Sequence, residues 1–471
     1  MICKKNLDYQ QENYAQCIDL DTEKTGRVSQ LCHVNSICEN EIELESYAFS
    51  NQKVLYNTDL GNINECMKDI ISDSDNDNLQ VINASFEQDN TSNFEPVVLH
   101  DIVFNSGFPT HLHERIPLHT TLNIPLWRSM LIDYSDHEIV DFLEFGWPVG
   151  YVKPDLPLTT VKNHRSALYF SEHTEDYIQK ELSYNALVGP FERTPFAVPL
   201  STAPLSSVPK KDSTDRRTIM DLSFPLGTSV NDGIPKYTYM GDPFKLHYPA
   251  TDNLVELINE KGPKCLLYKV DIKRCYRWLP VDPYDYHLLG LVWNSKLYFD
   301  TKIPFGLRTG AMAAQRTTNA IMHMYRNMSY NGVNYIDDIG TAETVDKAEE
   351  GYDNLKNPIN NLGFEIAEQK CCSPSTSMIF LGKQFDSVNM SISIPADKLT
   401  EIRQIIEKLL LKKTVTRKKL ESIIGKLSCI ADCIRSARLF ISRLLNLLRT
   451  VYRKSHHINL NTEAKKDLNG F

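Results

Sequence analysis

The chain has 471 residues, of which 42% are hydrophobic and 24% charged. That balance is globular and excludes collagen-like, mucin-like and wholly disordered chains. No run of about 18 apolar residues marks a membrane-spanning helix, and the opening MICKKNLDYQ lacks the apolar core of a secretory signal. The expectation is an intracellular protein, not secreted and not membrane-bound, whose 11 cysteines stay reduced.

The net charge of −9 conceals an asymmetry. Residues 1–100 carry 6 Lys+Arg against 18 Asp+Glu, whereas residues 401–471 carry 16 against 6. A basic C-terminal block on an acidic chain suggests a nucleic-acid contact that the overall charge hides.

Residues 1–115 hold polar clusters such as SDSDNDN and QDNTSNFE without helical or alternating period, and read as a largely disordered acidic leader. Cys32, His33 and Cys38 invite a zinc reading, but their spacing matches no finger or knuckle. Ordered structure is expected from about Asn123. A first helix lies in IPLWRSMLIDY; a second follows Ser135 and Glu138, which form a capping-box pattern, and stops at Gly146. Residues 116–179 therefore read as an N-terminal helical arm. Further helices are predicted near 174–183 and over 251–262.

The pattern then alternates. CLLYKVDI (265–272) reads as a buried strand, residues after Thr309-Gly310 as a helix, and GVNYIDDIGTAE as a tight hairpin. A helix over 344–362 follows despite Pro358, then two short strands, SMIFLGKQF and MSISI. From 400 onward three apolar stripes at helical spacing predict an all-helical block with a basic exterior. The fold class is α+β.

Tyr335-Ile336-Asp337-Asp338 is the sharpest chemical feature. Adjacent carboxylates among apolar neighbours repel one another, and a hard cation such as Mg²⁺ relieves that cost. Alone, the pair is equally at home in a surface turn. Asp271 ends a strongly apolar strand, where an unpaired carboxylate is disfavoured, although a strand-end cap would also place one there. If the two elements are neighbours, the carboxylates can share two cations and serve an in-line phosphoryl displacement. Upstream, Lys210, Lys211, Arg216 and Arg217 surround a polar turn, either as a solvated basic tip or as a polyphosphate grip.

This order of features (basic hairpin, strand aspartate, Pro-x-Gly loop with its helix, YIDD, then a lysine and Phe-Leu-Gly) resembles the polymerase domain of retroelement reverse transcriptases. The resemblance covers 180–395 closely and the helical block loosely. It is nearest in character to DIRS and gypsy retrotransposons, judging by KVDIKRCYRWLPV and IPFGLRTGAMAAQR. It implies a right-hand fold: fingers and a ferredoxin-like palm over 180–395, and a helical basic thumb over 396–471 that stops before any RNase H domain.

The resemblance also implies roles. Asp271, Asp337 and Asp338 would be the catalytic carboxylates, with the backbone carbonyl of Ile272 as a further ligand for two Mg²⁺, or alternatively Mn²⁺. Lys210 and Arg217 would hold the incoming dNTP triphosphate, with Tyr276 excluding a 2′-hydroxyl and Phe305, Gly306 and Gln315 lining the nucleotide site. Lys370 would protonate the leaving pyrophosphate. Phe380, Leu381 and Gly382 would grip the primer. Arg435 with Arg438, three apart, and Arg449 with Arg453, four apart, would each share a helix face along the template–primer phosphates. The segment after Asp221 departs from the family pattern, with Asn231 standing in for its asparagine, and Ala311-Met312 replaces Ser-Pro. Expected partners are an RNA or DNA template–primer, dNTPs and other polyprotein domains, since the sequence contains no protease, RNase H, integrase or recombinase signature. The rival readings are a catalytically silent, retroelement-derived nucleic-acid-binding protein and an RNA-templated RNA polymerase.

Overall fold

The computed structural model describes residues 117–469 apart from 158–160, 197, 211–214, 247, 249–250, 435–436, 452 and 454. The acidic leader, with Cys32, His33 and Cys38, lies outside the described residues. Among the described residues no helix is long and apolar enough to cross a membrane.

The first helices are α1 (Ile124–Met130), α2 (Ile139–Phe145), α3 (Arg165–Tyr169) and α4 (Ser171–Ser183). Asn123 caps α1 by accepting from the Leu126 N–H at 3.2 Å. The Ser135–Glu138 box does not form: Glu138 is the N-cap of α2 and makes no side-chain capping bond. Its acidic neighbourhood serves another purpose. Asp136 receives the Arg316 guanidinium through two hydrogen bonds of 2.7 Å, and Glu138 receives it at 3.1 Å. The stop at Gly146 is as expected: its φ is +101°, and a Cβ there would lie 2.5 Å from the Val281 carbonyl oxygen.

Strand β1 (Leu187–Phe191) is followed by a ribbon, β2 (Leu205–Pro209) and β3 (Arg216–Met220), and by the two-residue pair β4 (Thr238–Tyr239) and β5 (Asp242–Pro243). Helix α5 (Thr251–Lys261) then leads into β6 (Leu266–Asp271). An excursion through β7 (Gly290–Trp293) and β8 (Lys296–Asp300), which join β1 in a sheet of their own, precedes α6 (Gly310–Asn327). Next come β9 (Val333–Tyr335), β10 (Asp338–Glu343), α7 (Ala348–Asn361) and β11 (Cys372–Ser375).

The central sheet has the order β11-β6-β10-β9, with every pairing antiparallel. In chain order this is β6–α6–β9–β10–α7–β11, the split βαβ arrangement of ferredoxin-like folds. The apolar run of 265–272 needed two sheet neighbours, and β6 has them in β10 and β11. Leu267, Tyr268 and Val270 of that strand are fully buried. Pro358 is accommodated near the end of α7, where its missing N–H forfeits one helical bond while the buried Leu355 and Ile359 hold the helix to the core.

SMIFLGKQF is not one strand but a hairpin: β12 (Ser377–Phe380) and β13 (Lys383–Asp386), extended by β14 (Ser391–Ser393). Leu381 and Gly382 form its two-residue turn, with φ of +46° and +73°, the left-handed pair that a tight hairpin connection demands. Apolar tails from α5, β6, β10 and this hairpin share a satellite core.

The C-terminal block comprises α8 (Ala396–Leu410), β15 (Thr414–Thr416), α9 (Arg417–Cys433), α10 (Ala437–Arg449), β16 (His457–Asn459) and α11 (Thr462–Asn469), around its own apolar core. It is not wholly helical. The TVT break pairs antiparallel with β16, because β-branched residues between two helices suit a short strand.

Candidate active site

Asp271 is the last residue of β6 and stands opposite Asp338, the first residue of β10. Asp337 lies in the β9–β10 turn, and its carbonyl accepts from the Ile272 N–H at 2.8 Å. The two chain segments that bear carboxylates are thus fastened backbone to backbone, and Ile272 lies within the cluster. Ile336 takes the strained left-handed conformation, φ +56°, that presents the two aspartates.

That turn is held from below by α6. The fully buried Gln315 accepts from the Ile336 N–H at 2.8 Å and donates to the Asn334 carbonyl at 3.2 Å and to Asn319 Oδ1 at 2.9 Å. Its carboxamide therefore supports the turn that bears the aspartates. A long side chain on a helix face packed against β9 reaches the strand's backbone first.

Two lysines neutralise the cluster. Lys370, in a single turn of 3₁₀ helix (Glu368–Lys370), donates to Asp271 Oδ2 at 3.0 Å and Oδ1 at 3.2 Å. Lys269 approaches Asp338 at 3.4 Å. Burial, reinforced by the charge of Asp271 and opposed by Lys370, pushes the Asp337 carboxyl up to about 6. Burial also raises Asp338, against the pull of Lys269. For Lys370, burial acts downward, but the bond to Asp271 and the neighbouring carboxylates overcome it and raise the ammonium. Among the described residues no three His, Cys, Asp or Glu side chains form a preformed metal cage. The cluster instead gathers acceptor-only oxygens around lysine ammonium groups. Lys269 had a signal in the sequence, since it lies two residues before Asp271 and hence on the same face of the strand.

A chain of rings leads away from the carboxylates. Tyr276 sits in the 3₁₀ turn after β6 with its ring centroid 5.3 Å from that of Phe305. Burial, then the charge of Asp337, raises the Tyr276 hydroxyl well above its usual range. The Arg217 guanidinium lies 5.7 Å over the Phe305 ring. Lys210, beyond the other strand of the ribbon, pairs with Asp215 at 3.3 Å. Arg216 points elsewhere, stacked 3.5 Å over Phe170, and Lys211 lies outside the described residues.

The Pro-x-Gly loop is locked by Asn231. Its amide donates to the Gly306 carbonyl at 2.7 Å, and its Oδ1 accepts from the Arg308 N–H at 2.8 Å. Gly306 has φ +106°, and a Cβ there would lie 2.5 Å from the Met220 carbonyl oxygen. The loop is therefore packed directly on the end of β3.

The hairpin residues divide. Phe380 is fully buried, packed against Gly340, where a Cβ would come within 2.8 Å of its ring. Its side chain is core, and only Leu381 and Gly382 present the tip, because burial alternates along a strand. Arg438 and Arg449 lie on α10 and Arg435 lies outside the described residues. Helix α10 spans 437–449, so Arg453 lies beyond its end and does not share that helix with Arg449, against the expectation from their spacing of four. Arg438 faces Asp432 at 3.8 Å, and Arg449 donates to Asn446 at 3.2 Å.

Sequence reasoning also missed a buried ion network behind the site. Arg277 donates to Asp300 at 2.5 Å and to Glu181 at 2.9 Å, while Arg274 grips both Glu181 oxygens at 2.7 and 2.8 Å. It links α4, the 3₁₀ turn bearing Tyr276, and β8. No sequence spacing signals such a long-range set.

Residues 208–385 match the family described as reverse transcriptase (RNA-dependent DNA polymerase). Among solved structures the chain is similar to the foamy viral protease-reverse transcriptase dRH in complex with ds DNA, with TM-score 0.52 and 16% identity over 75% of this chain and 60% of that one. It is also similar to the foamy viral protease-reverse transcriptase in complex with RNA/DNA hybrid, with TM-score 0.50 and 15% identity over 75% of this chain and 46% of that one. At such identities the likeness is one of fold. The chain spans 60% or less of the length of these two structures. No curated protein matches it in sequence.

Proposed function

We propose that the chain is the RNA-directed DNA polymerase of a retrotransposon, adding dNTPs to a primer 3′-hydroxyl, with DIRS and gypsy elements as its nearest kin. The observation that carries this reading is Asp271 held opposite Asp338, with Asp337 in the turn between the strands, inside the segment that matches the reverse transcriptase family. In this reading the split βαβ sheet is the palm, the β2–β3 ribbon belongs to the fingers and the C-terminal block is the thumb.

The donor set suits a hard divalent cation: three carboxylates, two with raised carboxyl pKa values, are balanced by lysine ammonium groups. Asp271, Asp337, Asp338 and the Ile272 carbonyl would hold two Mg²⁺, or Mn²⁺ in their place. Bound there, such ions activate the primer hydroxyl and stabilise the departing pyrophosphate.

The chain's own residues supply position and charge. Arg217 and Lys210 draw the triphosphate toward the ring ledge. Phe305 and Gly306 shape the floor beneath the nucleotide, Asn231 keeps that floor rigid, Gln315 lines the site from α6 while holding the turn that bears Asp337, and Tyr276 bars a 2′-hydroxyl. Lys370, exposed to solvent yet anchored on Asp271, can hand a proton to pyrophosphate as it leaves. The thumb's basic exterior would follow duplex phosphates, and further polyprotein domains would act beside it.

Primer extension on a primed RNA template, with dNTPs and Mg²⁺, tests the proposal. Template-directed incorporation that stops on chelation is expected. Tight duplex binding without any incorporation favours the rival reading, a catalytically silent retroelement-derived binding protein.

A further inference from the structure

Lys383 directly follows the Leu381–Gly382 turn and is more than nine-tenths buried. A buried ammonium is costly unless acceptors meet its protons. Its Nζ donates to Thr251 Oγ1 at 2.7 Å and to Asp432 Oδ2 at 3.0 Å. Thr251 opens α5, which packs on the central sheet, whereas Asp432 lies in the last turn of α9, inside the separately cored C-terminal block. One side chain on the hairpin therefore ties α5, with which the hairpin shares a satellite core, to α9 of the C-terminal block, adding a directional polar link to the apolar contact that Ile392 makes with both cores.

The surroundings make the joint directional. Asp432 is shared with Arg438, which approaches its other oxygen at 3.8 Å. At the turn itself, the Lys398 ammonium of α8 stands where a side chain on Gly382 would project. The turn is thus bracketed by a cation at its tip and an ion pair at its base. A methionine of similar length could fill the space of Lys383, but it would not select one docking geometry. A buried ion pair contributes orientation more than net stability.

We propose that Lys383, through Asp432, is a positioning residue that fixes the Leu381–Gly382 turn relative to the C-terminal block, so that both meet one template–primer duplex. This rests on the polymerase reading. Because the turn holds only two residues, any tilt of the hairpin base is transmitted to its tip, where a small displacement weakens contact with a primer backbone.

The test uses the full chain and a fluorescently labelled primed RNA template, with Lys383→Met, Asp432→Asn and the double variant. Each single change is expected to weaken duplex binding about tenfold, and the double to be no weaker than either single, as for two ends of one interaction. Products made in the presence of a competitor trap become shorter. The dNTP KM and the rate of the first addition on saturating duplex stay within about twofold, a split that general damage to the fold does not give. If Lys383→Met unfolds the chain, Asp432→Asn, which keeps an acceptor in place, decides the matter. Wild-type affinity in the decisive variant, or strictly additive losses in the double, overturns the proposal. Failure of the polymerase reading is distinguishable, because the unaltered chain then adds no nucleotide to any primer, and that result overturns both.

Discussion

Asp271 and Asp338 stand directly opposite each other in the β6–β10 ladder, a placement that would repel in most sheets. Each is answered by a lysine, Lys370 for Asp271 and Lys269 for Asp338. Asp337 shares the cluster without a lysine of its own and keeps a carboxyl raised to about 6.

That raised carboxyl has a pH consequence. Its folded-state value lies above the ordinary 3.8, so the folded chain binds this proton more tightly than the unfolded chain. Folding is therefore favoured below about pH 4, and the contribution is lost as pH rises from about 4 to 6, by up to roughly 3 kcal/mol in the absence of divalent ions. Denaturant unfolding at pH 4.5 and 7.5 should show this loss in the unaltered chain and its removal in Asp337→Asn. Equal pH dependence in both proteins would contradict the assigned burial.

Gln315→Leu leaves the Ile336 N–H without its buried acceptor and costs about 1–3 kcal/mol. It should also lower kcat more than it raises the dNTP KM, because the turn bearing Asp337 loses its support while the nucleotide floor keeps Asn231. Thermal unfolding and steady-state kinetics read the two effects separately. A change confined to KM would mean that Gln315 acts on the nucleotide rather than through the turn.

Tyr276→Ala removes the ring that packs beside Phe305 and Asp337. Ribonucleotide incorporation relative to dNTP incorporation should rise about tenfold or more, with little change in use of dNTPs. Unchanged sugar selectivity removes the steric argument and revives the RNA-templated RNA polymerase reading.

Much of this site was legible in the sequence for a specific reason. Asp271 ends an apolar run and YIDD interrupts another, so carboxylates appear where the hydrophobic pattern forbids them. The bracketing of helices and strands followed from glycines and periodicity, as at Gly146, whereas the Ser135–Glu138 cap did not form. What could not be read depends on side-chain direction and long-range packing. Gln315 looks like a helix-face polar residue until the strand behind it is known. Phe380 looks like part of an exposed motif until its alternation with Leu381 is placed on a hairpin. Arg453 kept helical spacing with Arg449 in sequence, but α10 had already ended. Lys383 and the Arg277–Glu181–Asp300 set are joined to partners 23 to 132 residues away, and no local pattern encodes such distances.

Template-directed extension by Asp337→Asn is the most direct test of the central claim that the convergent aspartates perform nucleotidyl transfer. On a primed RNA template with dNTPs and Mg²⁺, the unaltered chain should extend the primer. The variant, equally folded by circular dichroism and still binding the duplex, should add no nucleotide. Extension by Asp337→Asn at the unaltered rate would contradict the account.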